Sequence, residues 1–310
     1  MDLDVVTVGE AMVMFAAQQP GALDEVTTFT RGTAGADLNV AIGLARLGLR
    51  VAYVSRLGRD SFGRYLAAAM QREGLDCRHV VFDDAHPTGF MLKSKTDAGD
   101  PQTEYFRRGS AASHLSPADH PRALCAGSRH LHVTGVSVAI SPSARELVFE
   151  MAAEARAARR SVSFDPNLRP RLWPDRETMA AHLNRLAGLA DWVLPGIAEG
   201  RTLTGLTQPE DIAAFYLERG AQAVVIKLGG DGAYWRTHEG AGHVPGVPVA
   251  TIVDTVGAGD AFAVGVISAR LEGRAWPAAL TRANWIGAQA IQVVGDMEGL
   301  PRRAQLPAGL

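Results

Sequence analysis

Cysteine is scarce in this 310-residue chain, which contains only Cys77 and Cys125. Two thiols without a histidine cluster at metal-ligand spacing exclude a disulfide framework and a zinc site as organising features, and they favour free buried thiols. No apolar run reaches the roughly 18 residues that span a bilayer. The N-terminus has no charged segment followed by an apolar stretch, so no export signal is predicted. We therefore expect a cytoplasmic protein.

Net charge is also small. The chain has 31 Lys plus Arg against 33 Asp plus Glu, which gives a formal charge of −2. This balance argues against a general nucleic-acid or membrane binder. Apolar residues make up 47% of the chain, which is ample for a large core. The Gly-x-x-x-x-Gly-Lys-Ser/Thr loop that cradles phosphates in many nucleotide-binding proteins is absent from the sequence.

Apolar strand-like runs alternate with helix-like segments along most of the chain. Strands are predicted at 5–9, 51–57, 130–138, 161–165, 191–194 and 223–228. Helices are predicted at 36–47, 63–72, 143–159, 178–189, 209–219, 258–271 and 277–294. This alternation is typical of βαβ units, and it predicts an α/β fold with a mostly parallel sheet covered on both faces. We interpret residues 1–310 as one domain.

Two segments, at about 11–33 and 87–109, interrupt the alternation. Both have the period-two character of extended chain, and neither has a helix to pair with. We expect them to form a small antiparallel sheet apart from the main one. Such a sheet would suit a lid that excludes water from a reaction. Its exposed edge makes a homodimer or higher homo-oligomer plausible.

The segment Asp254–Phe262 is the most informative in the chain. It follows the apolar run Val247–Val253 and leads into a predicted helix, so its two glycines are expected at a strand-to-helix junction. Amides at the start of a helix, together with the helix dipole, form a site for an anion. Asp260 lies at the mouth of that site, where it could accept a proton from an attacking hydroxyl. A simple helix cap is the alternative.

The string Asp-Thr-x-Gly-Ala-Gly-Asp-Ala-Phe resembles the C-terminal motif of the ribokinase-like (PfkB-type) sugar kinases. The resemblance implies a three-layer α/β/α fold with a β-sheet lid over the sugar, and in many members that lid also forms the dimer contact. It implies that Asp260 is the catalytic base. It also implies that the amides of Gly257, Ala258 and Gly259 form the anion hole for the transferred phosphoryl group.

The segment Arg31–Ala41 resembles the N-terminal Gly-Gly motif of the same family, which lines the sugar pocket. Ala34 replaces the first glycine of the pair, but Gly35 remains and still permits close backbone approach to a ligand. Asp37 and Asn39 supply the polar groups that bind hydroxyls. On the residues alone, Gly35 as a turn and Asp37 as a helix cap remain an equal alternative.

Three further strings narrow the resemblance. Tyr105 and Arg107 are expected on one face of an extended segment, where a guanidinium beside a phenol suits a carboxylate, although a solvated surface strand is the alternative. Tyr-x-Arg-x-Gly-Ser-Ala-Ala, Asp-x-Asn-x-Arg-x-x-Leu-Trp and Gly-Asp-x-Glu-Gly-x-Pro resemble the pattern of 2-keto-3-deoxygluconate kinases. That resemblance implies contacts to the sugar acid from Gly35, Asp37, Asn39, Tyr105, Arg107, Arg169 and Asp296.

The same resemblance implies ATP and Mg²⁺, and it leaves open assistance by a monovalent cation. The expected ATP contacts are Asn167, Lys227, Gly229, Gly230, Gly232 and Asn284. Many relatives have Asn-x-x-Glu near the phosphates, whereas this chain has Gly196-Ile197-Ala198-Glu199. Glu199 is therefore the expected metal-site residue, without the asparagine that usually accompanies it.

Together these patterns predict an ATP-dependent sugar-acid kinase. The reaction would phosphorylate the C6 hydroxyl of 2-keto-3-deoxygluconate and give 2-keto-3-deoxy-6-phosphogluconate. A fructokinase or another neutral-sugar kinase on the same scaffold is the alternative within enzymes. A non-catalytic sugar-binding regulator with a kinase fold is the alternative from another class.

Overall fold

Thirteen strands and ten α-helices build the part of the protein that the computed structural model describes, residues 3–95 and 101–310. The strands, in chain order β1 to β13, are Val5–Val8, Met12–Pro20, Phe29–Ala34, Val51–Gly58, Val80–Asp83, Phe90–Lys95, Thr103–Phe106, His130–Thr134, Ser161–Asp165, Trp192–Val193, Ala223–Lys227, Ala233–Thr237 and Ala241–Val244. The helices, α1 to α10, are Ala36–Arg46, Ser61–Arg72, Arg122–Gly127, Gly135–Ala139, Pro142–Ala157, Arg176–Ala187, Ile197–Thr204, Pro209–Leu217, Ala258–Leu271 and Trp276–Ala290.

A nine-stranded sheet forms the centre of the fold, in the order β13-β12-β11-β10-β9-β8-β1-β4-β5. The strands from β11 to β5 are parallel, and β12 and β13 add an antiparallel edge. Successive side chains alternate between two apolar cores, so Val5 packs against α1, α9 and α10 while Val6 packs on the side of α5. This is the predicted α/β fold with helices on both faces.

A second sheet of four strands, in the order β3-β2-β6-β7, lies apart from the first. Its outer pairs, β2–β3 and β6–β7, are antiparallel, but the central pair β2–β6 is parallel. The prediction of a small separate sheet is confirmed, and its purely antiparallel character was wrong. The two strands of the central pair come from segments far apart in the chain, so no hairpin fixes their relative direction. Residues 96–100 of the predicted lid segment lie outside the described residues.

Two sequence-based boundaries differ from the structure. The run 130–138 is not one strand, because β8 ends at Thr134 and α4 begins at Gly135. A continuous apolar run has no periodicity to separate the two. The run 247–253 is not a strand either. The amides of Val253 and Asp254 donate to the Ile291 carbonyl at 2.8 and 3.3 Å, so this segment is attached to the end of α10 rather than to the sheet. Strands β5, β12 and β13 and helices α3, α4 and α7 were not predicted.

Helices α9 and α10 pack together closely, and α9 carries the Asp260 motif. An ideal Cβ at Gly265 of α9 would lie 2.3 Å from the Cα of Ala283 in α10, so the two backbones touch there. Within the described residues, no helix combines the length and apolar character needed to cross a bilayer.

We predict that Gly265→Ala destabilises the protein, because the added methyl must push α10 away at a cost of about 1–3 kcal/mol. Gly287→Ala in α10 is the matched control, since its Cβ would meet its nearest neighbour at 3.7 Å, an ordinary contact. That change should be neutral or stabilise by about 0.5–1 kcal/mol, the usual gain over a helical glycine. Thermal and urea unfolding measure both. Equal unfolding free energies for the two variants would contradict the close approach.

Candidate active site

Two adjoining cavities lie at the carboxyl ends of the parallel strands, and the first of them reaches the small sheet. The first has a volume of about 440 Å³ and the second about 480 Å³, and Lys227 and Gly259 line both. Predicted site residues that line the first cavity are Gly35, Asp37, Asn39, Tyr105, Arg107, Asn167, Arg169, Glu199, Lys227, Gly257, Gly259, Asp260 and Asp296. Those that line the second are Lys227, Gly229, Gly230, Gly232, Ala258, Gly259 and Asn284. The structure therefore brings every predicted site residue to one of two connected cavities.

Asp260 lies in the first turn of α9 and is only 6% exposed. Its two carboxylate oxygens accept hydrogen bonds from two asparagine amides on different elements. Asn39 Nδ2 of α1 donates to Oδ2 at 2.8 Å, and Asn167 Nδ2, in the loop after β9, donates to Oδ1 at 3.1 Å. These contacts fix the orientation of the carboxylate toward the cavity, so Asp260 is held from two sides and does not act as a simple helix cap.

The pKa of Asp260 is raised to about 7, chiefly by burial, and repulsion from nearby Asp165 and Asp296 contributes to this rise. The hydrogen bond from Asn39 acts in the opposite direction because it stabilises the charged form. A carboxyl group with a pKa near neutrality can both lose and accept a proton under physiological conditions. That property suits a general base.

The backbone turn before α9 lies beside Asp260, where the sequence predicts an anion site. Gly257 has a φ of +82°, a left-handed conformation that glycine adopts without strain, and its Cα lies against the Asp296 carbonyl. The Ala258 amide donates to the Thr255 carbonyl at 3.3 Å, whereas the Gly259 amide belongs to the first helical turn, where no preceding helical carbonyl can accept its hydrogen bond. An ideal Cβ at Gly259 would lie 3.4 Å from the Lys227 ammonium, so a cation is also close to these amides.

Asp37 occupies the floor of the first cavity. Its Oδ2 accepts hydrogen bonds from the hydroxyls of Thr134 at 2.9 Å and Ser137 at 2.5 Å. Its Oδ1 is buried and has no hydrogen-bond partner among the described residues. Burial raises the pKa of Asp37 to about 7. An unpaired buried acceptor facing a polar cavity is the feature that a ligand hydroxyl would satisfy.

Tyr105 and Arg107 reach the same cavity from the small sheet, as their spacing predicted. The Arg107 guanidinium lies 5.8 Å from the centre of the Tyr105 ring. Arg107 also forms an ion pair with the buried Glu10, whose other oxygen accepts a 2.5 Å hydrogen bond from the Ser110 hydroxyl. Glu10 therefore orients the guanidinium, and sequence reasoning missed it because a lone acidic residue after β1 gives no signal.

Arg169 and Asp296 also line the first cavity. Arg169 forms no ion pair with any described residue, and its guanidinium donates to the Leu168 carbonyl at 2.9 Å. Asp296 is buried, and one oxygen accepts a 3.2 Å hydrogen bond from the Lys93 ammonium. Burial raises the pKa of Asp296, and Lys93 partly offsets this effect.

Lys227, at the end of β11, carries the positive charge that both cavities share. Its ammonium lies 2.7 Å from Oδ2 of Asp165, the last residue of β9. Burial alone would lower the pKa of Lys227, but the carboxylates of Asp165 and Glu199 raise it. Burial raises the pKa of Asp165 to about 6. The sequence placed Asp165 at the edge of the sheet but gave it no role.

Glu199 holds the backbone rather than standing free. Its Oε1 accepts the Leu168 amide at 2.9 Å and its Oε2 accepts the Gly196 amide at 2.7 Å, which fastens the Asn167–Arg169 loop to the start of α7. The described residues contain no group of three or more His, Cys, Asp or Glu side chains that could hold a metal ion. Asp165 Oδ1 is, however, buried without a hydrogen-bond partner. One free carboxylate oxygen suits Mg²⁺, which usually takes few protein ligands and keeps waters and phosphates.

The second cavity combines glycine backbone with an apolar wall. Gly229, Gly230 and Gly232 line one side, and apolar side chains including Val249 and Ile252 line the other. Asn284 of α10 donates to the carbonyls of Val244 and Pro245 at 3.2 and 2.9 Å, so it also holds the loop that bounds this cavity. A flat apolar slot next to bare backbone suits a planar aromatic ligand. The apolar run 247–253 was noted in the sequence, but its place in this wall was not predicted.

Known proteins match this chain over nearly its whole length. The profile described as pfkB family carbohydrate kinase matches residues 2–303. A 2-dehydro-3-deoxygluconokinase of Bacillus subtilis (strain 168) is 50% identical over all of this chain and 96% of its own length. A protein of that name from Thermoproteus tenax is 34% identical over 96% of this chain and 91% of its own length.

Solved structures agree with the sequence relatives. A PfkB protein from Polaromonas sp. JS666 is 54% identical, with a TM-score of 0.92 and 99% of both chains covered. A putative ribokinase II from E. coli in complex with ATP and Mg²⁺ is 28% identical, with a TM-score of 0.90 over 97% of both chains. A fructokinase double mutant from Vibrio cholerae O395, in a form with bound fructose, ADP and potassium ion, is 30% identical, with a TM-score of 0.85 over 98% of this chain and 97% of its own. The chain belongs to the pfkB family of carbohydrate kinases, whose members include these sugar-acid and neutral-sugar kinases.

Proposed function

We propose that this protein transfers the γ-phosphoryl group of ATP to the C6 hydroxyl of 2-keto-3-deoxygluconate. The observation that carries the proposal is the buried Asp260 carboxylate beside the anion site at the start of α9, in a cavity that also contains two arginines. The 50% identity to a 2-dehydro-3-deoxygluconokinase over the whole chain supports this substrate over a neutral sugar.

The shared lining of the two cavities supports a simple arrangement of the two substrates. The adenine base of ATP would occupy the apolar part of the second cavity, near Ile252 and Asn284. Its terminal phosphate would reach the amides of Gly257 and Gly259 and the Lys227 ammonium, where both cavities meet. The sugar acid would fill the first cavity beneath the small sheet.

The chemical step is an in-line displacement at phosphorus. Asp260 accepts the proton of the C6 hydroxyl, and the hydroxyl oxygen forms a bond to the γ-phosphorus. The bond from that phosphorus to the bridging oxygen of ADP breaks, and ADP leaves with the electron pair. The amides of Gly257, Ala258 and Gly259 would stabilise the charge on the equatorial oxygens, because amide groups at the start of a helix favour an anion.

Different residues of the first cavity would bind the carboxylate and the hydroxyl groups of the sugar acid. Arg107, oriented by Glu10, would bind the carboxylate together with the Tyr105 hydroxyl, because a guanidinium matches the planar geometry of a carboxylate. The unpaired Asp37 Oδ1 would accept a sugar hydroxyl. Asn39 and Asp296, and the backbone at Gly35, offer further hydrogen-bonding groups near Asp260. Arg169 would offset charge near the reacting phosphate.

Mg²⁺ fits the phosphate end of the site, where Asp165 and Glu199 would hold it through water. When bound, it neutralises phosphate charge.

The small sheet offers a surface for contact with another protein chain. Its outer strands β3 and β7 present edges, and Phe106 is 47% exposed on β7. We propose that this surface pairs two copies of the chain, since exposed sheet edges and aromatic side chains are common at such contacts.

Replacement of the proposed base gives the most direct test. Asp260→Asn should lower turnover by roughly 10²–10⁴-fold, the usual contribution of a general base, while ATP still binds. Coupled ADP release measures turnover and calorimetry measures nucleotide binding. Asp84→Asn, which neutralises an exposed carboxylate, is the control. Near wild-type turnover of Asp260→Asn would remove this residue from the mechanism.

The pH profile should report the same group. A base must be deprotonated to act, so kcat/KM should fall as the pH drops through about 7, the raised pKa of Asp260. Removing the Asn39 hydrogen bond, which lowers that pKa, should move the acid limb to higher pH in Asn39→Leu. Asp37 also has a pKa of about 7. The limb should therefore persist in Asp37→Asn, and its disappearance there would assign it to Asp37 instead.

The carboxylate clamp can be tested by substrate choice. Arg107→Ala should raise the KM for the keto acid by roughly 10- to 100-fold, the loss of a charged hydrogen-bonded pair, and leave the KM for ATP much less changed. Arg108→Ala, at the exposed neighbouring position, is the matched control. Equal changes in both KM values, or equal turnover of neutral ketoses by the wild type, would favour a neutral-sugar kinase.

A further inference from the structure

A buried lysine links the small sheet to the turn that forms the anion site. Lys93 lies in β6, and its side chain is 3% exposed. Its ammonium lies 2.6 Å from Asp254 Oδ2 and 3.2 Å from Asp296 Oδ1, and both carboxylates are also buried. Burial of a charged side chain costs free energy unless opposite charges compensate it. Lys93 points inward from the small sheet, and the two carboxylates provide that compensation.

The two carboxylates border the anion site. Asp254 accepts the amide of Val256 at 3.1 Å through Oδ1 and the amide of Gly295 at 3.3 Å through Oδ2. It therefore joins the turn before α9 to the segment after α10. The Asp296 carbonyl packs directly against Gly257. Any movement of Asp254 or Asp296 would displace the amides that we assign to the transferring phosphate.

We propose that Lys93 is a positioning residue whose ammonium supplies the fixed positive charge that holds Asp254 and Asp296, and with them the anion-site turn. The side chain then occupies the place of a small monovalent cation, so the protein needs none at this position. The inference rests on the proposed kinase activity for its kinetic readouts. It goes beyond that activity by assigning a positioning role to a residue that touches neither substrate. It also predicts that small monovalent cations do not change the activity of the enzyme.

The proposal also couples the small sheet to the phosphate end of the site. Lys93 pairs with Ala16 of β2 and Thr103 of β7 in the sheet register. Its backbone is therefore part of the small sheet, while its ammonium contacts the turn before α9. A cavity of about 450 Å³, lined by Lys93, Asp254 and Gly295, opens beside the ammonium. Small cations could therefore reach the two carboxylates if the lysine were shortened or neutralised.

The test replaces the ammonium and then returns a cation from solution. Lys93→Met should lower kcat by roughly 10- to 100-fold, as small displacements of catalytic groups do, in buffer that contains Mg²⁺ and tetramethylammonium as its only monovalent cation. Potassium, ammonium or methylammonium should restore much of the lost turnover and raise the melting temperature of the variant. The wild type should show the same kcat and melting temperature in all four salts. Lys95→Met, two residues along the same strand and exposed, should behave as the wild type.

Each contrary outcome is informative. Activation of the wild type by potassium, wild-type turnover of Lys93→Met, or a loss that no small cation restores would overturn the proposal. If the variant folds only in salts of small cations, that dependence itself supports the proposal, and failure to fold in every salt overturns it. Failure of the proposed function would look different. The wild type would release no ADP with any keto acid, while the salt dependence of the variant's melting temperature would remain.

Discussion

Compensation of buried negative charge is the constraint on which this site depends. Carboxylates from five different parts of the chain converge at the edge of the sheet, where water is largely excluded. Glu10 is paired with Arg107, Asp165 with Lys227, and Asp254 and Asp296 share Lys93. An uncompensated charge of this kind would destabilise the fold by several kcal/mol, so each pair must form as the protein folds.

Asp37 and Asp260 are the exceptions to this pairing, and the exception explains their raised pKa values. Both are buried, and neither forms an ion pair with a described residue. They are held instead by neutral donors, the hydroxyls of Thr134 and Ser137 in one case and asparagine amides in the other. Hydrogen bonds from neutral groups compensate burial less completely than a cation does. Both pKa values therefore rise to about 7, whereas a nearby ammonium limits the rise of Asp165.

Local sequence predicted the fold and the lining of the two cavities well, because both follow from short-range patterns. Alternation of strands and helices predicted the parallel sheet, and the resemblance of several short motifs to those of a sugar-kinase family predicted the residues that line the site. The charge pairs that sequence reasoning missed in the site are long-range. Lys93 and Asp254 are 161 residues apart, and Glu10 and Ser110 are 100 apart, so no spacing connects them. The prediction of a strand at 247–253 was wrong, because apolar content alone does not distinguish a loop attached to a helix end from a strand.

The difference between Asp37 and Asp260 is one of position rather than of acidity. Their pKa values are similar, yet only Asp260 lies in the first turn of α9, next to the amides and the Lys227 ammonium that would hold a transferring phosphate. A proton acceptor contributes to catalysis only where the hydroxyl oxygen that loses its proton can attack the phosphorus. The anion site fixes that place. Asp37 instead faces the cavity from α1, beneath the small sheet. In the proposed mechanism, the turn that begins at Asp254 thus determines which of the two carboxylates acts as the base, and the residues that hold this turn matter as much as Asp260 itself.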